Sequence, residues 1–332
     1  MKRLKYIWIL SLMALVLGMI TVFSFTIGRY SLPVDELLRY IFTGDYTDEN
    51  LPLLVMRVRL PRILIAILAG GALSVSGAAY QGLFRNPVVS PDILGVSSGA
   101  GFGAAVAIML SAGIAGIQVT AFVAGLIAVA LSLSVSRVMA MNHDRLLLLV
   151  LSGMIVGAMF TALTSLMKYL ADSESRLPEI TFWLMGSLTD VSMREIRVVA
   201  PLVLAALVPL LLNSWKLNIL SFGDEEAKSL GVNAGRLRLT LVCCASLLTA
   251  SVVSVTGIIG WVGLIIPHFT RFFVGADHRR LLPASFLVGA AFLLLVDDLA
   301  RSVSSLEIPL GVITALIGAP MFFLALRMAE KK

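Results

Sequence analysis

The sequence predicts an all-α, polytopic membrane protein of about ten transmembrane helices, and three observations carry that prediction. Hydrophobic residues make up 58 % of the 332-residue chain and charged residues 14 %, where a soluble domain holds about half and about a quarter. Mean hydropathy is +0.96. Apolar runs of spanning length, about 17–25 residues, follow one another without a low-complexity linker, so residues 1–332 read as a single membrane domain.

The first run, Tyr6 to Ile27, follows Lys2, Arg3 and Lys5. It exceeds the ~7–15 residues of a cleaved signal core and no Ala-x-Ala site ends it, so a retained span is expected. Further runs lie near 62–82, 93–113, 117–136, 146–167, 196–212, 281–296 and 308–326. Leu239 to Thr270 is a stretch of 32 residues without a charge. As one helix it would rise about 48 Å, too long for a hydrocarbon core of about 30 Å. Gly257, Gly260, Gly263 and Pro267 lie in its second half, so a break is expected at about Thr256 to Gly260.

That break brings the count to ten, and the distribution of basic residues supports it. Ten spans place 16 of the 26 lysines and arginines in cytoplasmic segments, whereas nine place 11 there. Both termini are therefore expected in the cytoplasm. Spans 2–5 and 7–10 then start from opposite sides, as in an inverted repeat. The pI near 9.5 reflects these span-end charges rather than a nucleic-acid partner. Cys243 and Cys244 are adjacent within an apolar run, a spacing that suits neither a disulfide framework nor a metal site.

The stretch Gln81–Gly103, QGLFRNPVVSPDILGVSSGAGFG, is the densest in information. Gly70, Ser74, Ala78 and Gly82 form a small-residue stripe upstream of it, which lets another helix backbone approach closely. Asn86-Pro87 and Ser90-Pro91 stop that helix, because proline lacks a donor and disfavours helical geometry in the residue before it. Asp92 then stands as N-cap of a helix expected to begin near Ile93, with Gly99 and Gly103 at GxxxG spacing.

No GxxxxGK[ST] loop is present, so the chain carries no Walker-type ATP site, and no HExxH or GxSxG motif supports an enzyme. His143, His268 and His278 are not clustered, and no metal site is expected. Residues 222–231, Phe-Gly-Asp-Glu-Glu-Ala-Lys-Ser-Leu-Gly, lie in the longest connection between spans on the expected cytoplasmic side. Asp224, Glu225 and Glu226 favour the positive end of a short helix, and Gly231 sits where a left-handed cap would close it. A helix so short needs a docking partner, either another protein or its own membrane domain. On the expected outer side, Arg57, Arg59 and Arg62 cluster before span 2 and Arg301 ends span 9. They read either as headgroup anchors or as guanidinium forks for a partner's carboxylates. Asp297 and Asp298 stand at helical pairing distance from Arg301. Pro267-His268 and Glu307-Ile308-Pro309 read either as pathway or gate groups, or as a helix break and an outer loop.

Taken in order, these motifs, with Met185-Gly186-Ser187-Leu188, GIIGWVGLIIPHFTRFFVGADHRRLLP, DDLAR and EIPLGVITALIGAP, resemble the FecCD family. Its members are permease subunits of ATP-driven importers for iron-siderophore, haem and vitamin B12, the cobalamin permease among them. The resemblance runs from Arg59 to Pro320 and implies a cobalamin-permease-like, type II ABC importer fold. It implies a bacterial cytoplasmic membrane and a second permease subunit, identical or homologous, completing the translocation path. A cytoplasmic ATPase would bind ATP and Mg, leaving this chain without cofactor or catalysis, and an extracytoplasmic binding protein would deliver the substrate. Gly223, Asp224, Glu225, Ala227, Leu230 and Gly231 fall on the family's ATPase-coupling helix. Arg59, Arg62 and Arg301 match its binding-protein docking positions. A ferric siderophore is the expected cargo, with cobalamin or haem as alternatives. The rivals from other classes are an ion-coupled secondary transporter using Asp297, Asp298 or Glu307, and a membrane enzyme using His268.

Overall fold

The computed structural model describes residues 3–28, 30, 32–46, 48–139, 145–303 and 307–329; His143 lies outside them. Fourteen helices fold the described residues, with no strand among them. They are α1 (Arg3–Thr26), α2 (Val34–Thr43), α3 (Leu51–Leu83), α4 (Val96–Met109), α5 (Ile114–Met139), α6 (Arg145–Leu170) and α7 (Arg176–Met185). The second half holds α8 (Met193–Leu212), α9 (Ser214–Leu220), α10 (Asp224–Ser229), α11 (Ala234–Thr256), α12 (Val262–Val274), α13 (His278–Val303) and α14 (Leu310–Ala329). Seven of these are long and apolar enough to cross a membrane, and α4, α12 and the Leu310–Leu324 part of α14 supply three shorter apolar segments.

Cross-contacts fix the directions. Tyr6 meets Arg280 and Ser24 meets Asp298, so α1 and α13 run in parallel. Arg62 meets Asp297 and Gly82 meets His278, so α3 runs against them. His268 on α12 faces Phe322 near the end of α14, which brings the close of α14 back to the end where α1 begins. That end is called the near end below, and the end holding Thr26 and Val303 the far end. The break inside 239–270 falls where its glycines place it. Helix α11 ends at Thr256, Gly257 takes φ +67°, and α12 restarts at Val262.

Two boundaries depart from the sequence reading. Span 2 extends back to Leu51 through a π-helical turn at Leu54–Arg59. Pro61 has no N–H to offer the preceding turn, and a register shift of this kind accommodates that loss. The helix expected near Ile93 instead begins at Val96. Pro91–Leu94 form a separate 3₁₀ turn, and Gly95 in the left-handed region ends it. Asp92 therefore caps no α-helix; its carboxylate accepts from the Ser97 hydroxyl.

Small residues set the packing. Gly70 meets Gly289 backbone to backbone, joining α3 to α13, and Gly77 meets Gly263, joining α3 to α12. Such contacts replace the hydrophobic effect that lipid cannot supply between helices. Buried polar groups add cross-links from α3 to α11: Ser76 donates to the Ala245 carbonyl at 2.9 Å, and the Tyr80 hydroxyl pairs with Ser246 at 2.6 Å.

Helix α8 opens with a capping box. The Ser192 hydroxyl accepts from the Arg194 amide at 3.2 Å, and Glu195 accepts from the Ser192 amide at 2.9 Å. Ser192→Ala is expected to cost about 1 kcal/mol, read as a lowered melting temperature in detergent with helix content unchanged.

Candidate functional site

At the near end, α10 is short but firmly held. Gly223 enters it at φ +135°, ψ 167°, a backbone region open essentially to glycine. Asp224 accepts from Arg238 on α11 and faces Arg85, just past α3, at 3.7 Å. Ala227 is fully buried on the inner face. The exit is a Schellman turn: Gly231 at φ +74° donates to the Lys228 carbonyl (3.0 Å) and Val232 to the Ala227 carbonyl (2.8 Å). Opposite this anchored face, Phe222 is 76 % and Leu230 63 % exposed, and Glu225 also faces solvent. The helix is thus tied to α3 and α11 while presenting two bare apolar side chains.

Beside it opens a cleft of about 530 Å³ between the near ends of α3, α12 and α13 and the short α9. Gly82, Asn86, Pro87 and His268 border it. Gly82 leaves room for the His278 ring. Asn86 turns the chain by accepting from the Val88 amide at 2.9 Å. Pro91 packs on Gly263, while Gly99 and Gly103 seat α4 on the backbone of α5 at Ala124 and Thr120.

The four candidate gate residues do not converge. Pro267 and His268 lie on α12, with the His268 ring 5.6 Å from that of Phe272 and 6.5 Å from that of Phe322. Glu307 and Pro309 lie at the far end, where Pro309 precedes α14.

The far end holds the three arginines expected to dock the binding protein, and it holds them inside the fold. Arg59, Arg62 and Arg301 are 3 %, 7 % and 6 % exposed, and all three find partners within the chain. Arg62 donates through Nε to Asp297 at 2.9 Å and through Nη1 to Glu307 at 3.0 Å. Arg301 pairs with Asp298 and lies 3.6 Å from Asp297. Arg59 donates to the Phe25 and Tyr30 carbonyls. Ser24 donates to Asp298 at 2.6 Å, and Thr189 to Glu307 at 2.6 Å. The forks are filled by the chain's own acceptors, because three arginines beside three carboxylates can share a dry site only as a neutral network. Arg57, one turn earlier, stays exposed.

Sequence reasoning missed Ser24 and Thr189, whose hydroxyls carry no pattern of their own. It also missed the joint where α7, α11 and α14 meet: Gly186 at φ +75° accepts from the Leu310 amide at 2.9 Å, and Ser187 donates to the Thr256 carbonyl at 2.8 Å. The segment 185–188 and the break after Thr256 were both legible, but not their contact. Among the described residues no group of three or more His, Cys, Asp or Glu could hold a metal ion.

Comparison with known proteins gives this arrangement its family. The FecCD transport family model matches residues 14–328. The chain is 43 % identical over 314 residues to the molybdate import system permease MolB of Haemophilus influenzae, covering 93 % of this chain and 92 % of that one. It is 38 % identical over 274 residues to an iron chelatin transport system permease of Helicobacter pylori, covering 82 % of each. A solved metal-chelate type ABC transporter in an inward-facing conformation superposes with a TM-score of 0.85 at 41 % identity, covering 97 % of this chain and 99 % of that one. The chain belongs to the FecCD transport family and is a multi-pass permease subunit of an ABC importer.

Proposed function

We propose that this chain pairs with a second permease subunit to form the path, that its near end is cytoplasmic, and that α10 docks the ATPase. The observation that carries the reading is α10 itself: a six-residue helix clamped through Asp224 and closed at Gly231, with Phe222 and Leu230 bare. Exposed apolar side chains on a rigid support form a docking surface. The Asp224 links to Arg238 and Arg85 give a push on α10 a direct route to α11 and α3. The energy comes from a partner, since this chain has no phosphate loop. The binding protein engages the far end, where the buried arginine–carboxylate network serves as the frame that sets its surface rather than as the contact.

For the cargo, a ferric siderophore is the reading carried from the sequence. Molybdate is the second, favoured by the higher identity to the molybdate permease than to the iron-chelate one.

Leu230→Glu is the test of α10. The side chain is exposed, so folding should survive, while uptake into vesicles holding the assembled importer should fall at least about tenfold, as expected when a charge enters an apolar contact. Uptake at the wild-type rate would overturn the docking assignment. Radiolabelled ferric siderophore and molybdate, offered in turn with the cognate binding protein, identify the cargo by which one accumulates.

A further inference from the structure

The near-end cleft contains a positive charge that no carboxylate among the described residues answers. Arg271, in the last turn of α12, donates through Nη1 to the neutral Gln81 Oε1 at 2.6 Å. Gln81 is itself fixed, its amide donating to the Leu264 carbonyl at 3.0 Å. Among the described residues no carboxylate comes within ion-pairing distance of Arg271. The acid that shares the cleft is already engaged: Asp277 accepts from Asn218 Nδ2 at 2.7 Å and faces Arg280 at 3.8 Å. His278, 6 % exposed, meets Asn218 Oδ1 through Nδ1 at 2.7 Å, while its buried Nε2 has no partner. Arg85 stands on the lining, with only the 3.7 Å approach of Asp224 against it. The far-end arginines by contrast sit among carboxylates or backbone acceptors. A guanidinium offers five N–H donors in a fixed fork that matches a carboxylate, and among the described residues Gln81 takes up one of Arg271's nitrogens.

The occupant follows from where the cleft opens. Phe222, the exposed residue leading into α10, is part of its lining. Whatever covers α10 therefore also covers the cleft, and covering an uncompensated guanidinium removes its water. Such a contact forms readily only if the cover brings a counter-charge, ideally one carboxylate accepting two N–H bonds.

We propose that a carboxylate side chain of the partner ATPase enters this cleft and pairs with Arg271, forming a second attachment point beside α10. The proposal rests on the reading of α10 as the ATPase dock. Together the two contacts grip the partner at α10 and at the near ends of α3, α12 and α13, so that its closure would reach both halves of the bundle.

The test uses the full permease with its ATPase in lipid nanodiscs. Arg271→Gln is expected to weaken ATPase binding at least about tenfold, the usual cost of truncating one partner of a buried charge pair; Arg271→Lys should retain most of it. Melting temperatures of the two variants without ATPase establish that both are folded. Carbodiimide treatment of the Arg271→Lys complex should then join the new amine to an aspartate or glutamate of the ATPase, located by mass spectrometry. Binding by Arg271→Gln within twofold of wild type overturns the proposal. So does an amide formed with this chain's Asp277 or Asp224, or a phospholipid or orthophosphate retained by the wild type and lost from Arg271→Gln. Leu230→Glu separates the two readings. If it releases the ATPase and Arg271→Gln does not, only the cleft assignment fails; if it leaves binding intact, the α10 dock fails with it.

Discussion

Asp297→Ala is expected to destabilise the folded chain by about 3–5 kcal/mol, the cost of leaving a buried charge without its partner. Asp297 is fully buried and accepts the Nε of Arg62, with Arg301 at 3.6 Å. Removing it leaves two arginines facing Glu307 and Asp298 alone, in a site from which water is excluded. The loss should appear as a lower melting temperature in detergent and as reduced yield of monodisperse protein. The double change Arg62→Met with Asp297→Leu should recover much of the loss, because replacing a whole buried pair by apolar side chains of similar size is often neutral. Glu307→Gln should cost far less, since its side chain is partly exposed, its amide oxygen can still accept from Arg62, and its amide nitrogen can donate to the Thr189 hydroxyl. A double variant no better than Asp297→Ala would show that the network does more than balance charge. An Asp297→Ala protein that melts with the wild type would show that the charges are hydrated, contrary to their burial.

The same network marks the limit of what the sequence disclosed. Asp297, Asp298 and Arg301 stand three and four residues apart on one helix, so a local pair was legible from spacing. Arg62 lies 235 residues from Asp297, and nothing local links them. From sequence the long arginines read as headgroup anchors or as forks for a partner's carboxylates, and their burial against the chain's own carboxylates emerges only from the crossing of α3 with α13. The spans, the break after Thr256 and the cap at Gly231 were legible because hydropathy, glycine and chain length act locally. The start of α4 was misplaced by three residues because a 3₁₀ turn and a left-handed glycine use the same residue types as a capped helix. The near-end cleft was invisible for the opposite reason. Gln81, Asn218, Arg271 and His278 come from four separate segments, and each alone looks like an ordinary span-end polar residue.

Gly77→Ala should be the most damaging conservative change in the chain, with a loss of about 3 kcal/mol or more, at or beyond the upper range for overpacking a filled core. A methyl at 77 would lie inside the carbonyl group of Gly263, and its three nearest neighbours are all backbone atoms of that residue. No rotamer relieves such a clash, so α3 and α12 would have to separate. That separation would also pull Gln81 from the Leu264 carbonyl, one turn further along the same contact. The effect should grade with what the new methyl meets. At Gly71 it meets the Phe286 ring, which can tilt away, so Gly71→Ala should fall between. At Gly18, on α1, it meets nothing within 4 Å. Gly18→Ala should therefore be neutral or stabilising by up to about 1 kcal/mol, the helix-interior penalty of glycine. Melting temperatures of the three variants in one detergent test the order. If Gly77→Ala melts with Gly18→Ala, the α3–α12 contact is looser than a backbone-to-backbone approach. If Gly71→Ala is the worst of the three, the ring of Phe286 rather than the glycine pair sets the spacing of the core helices.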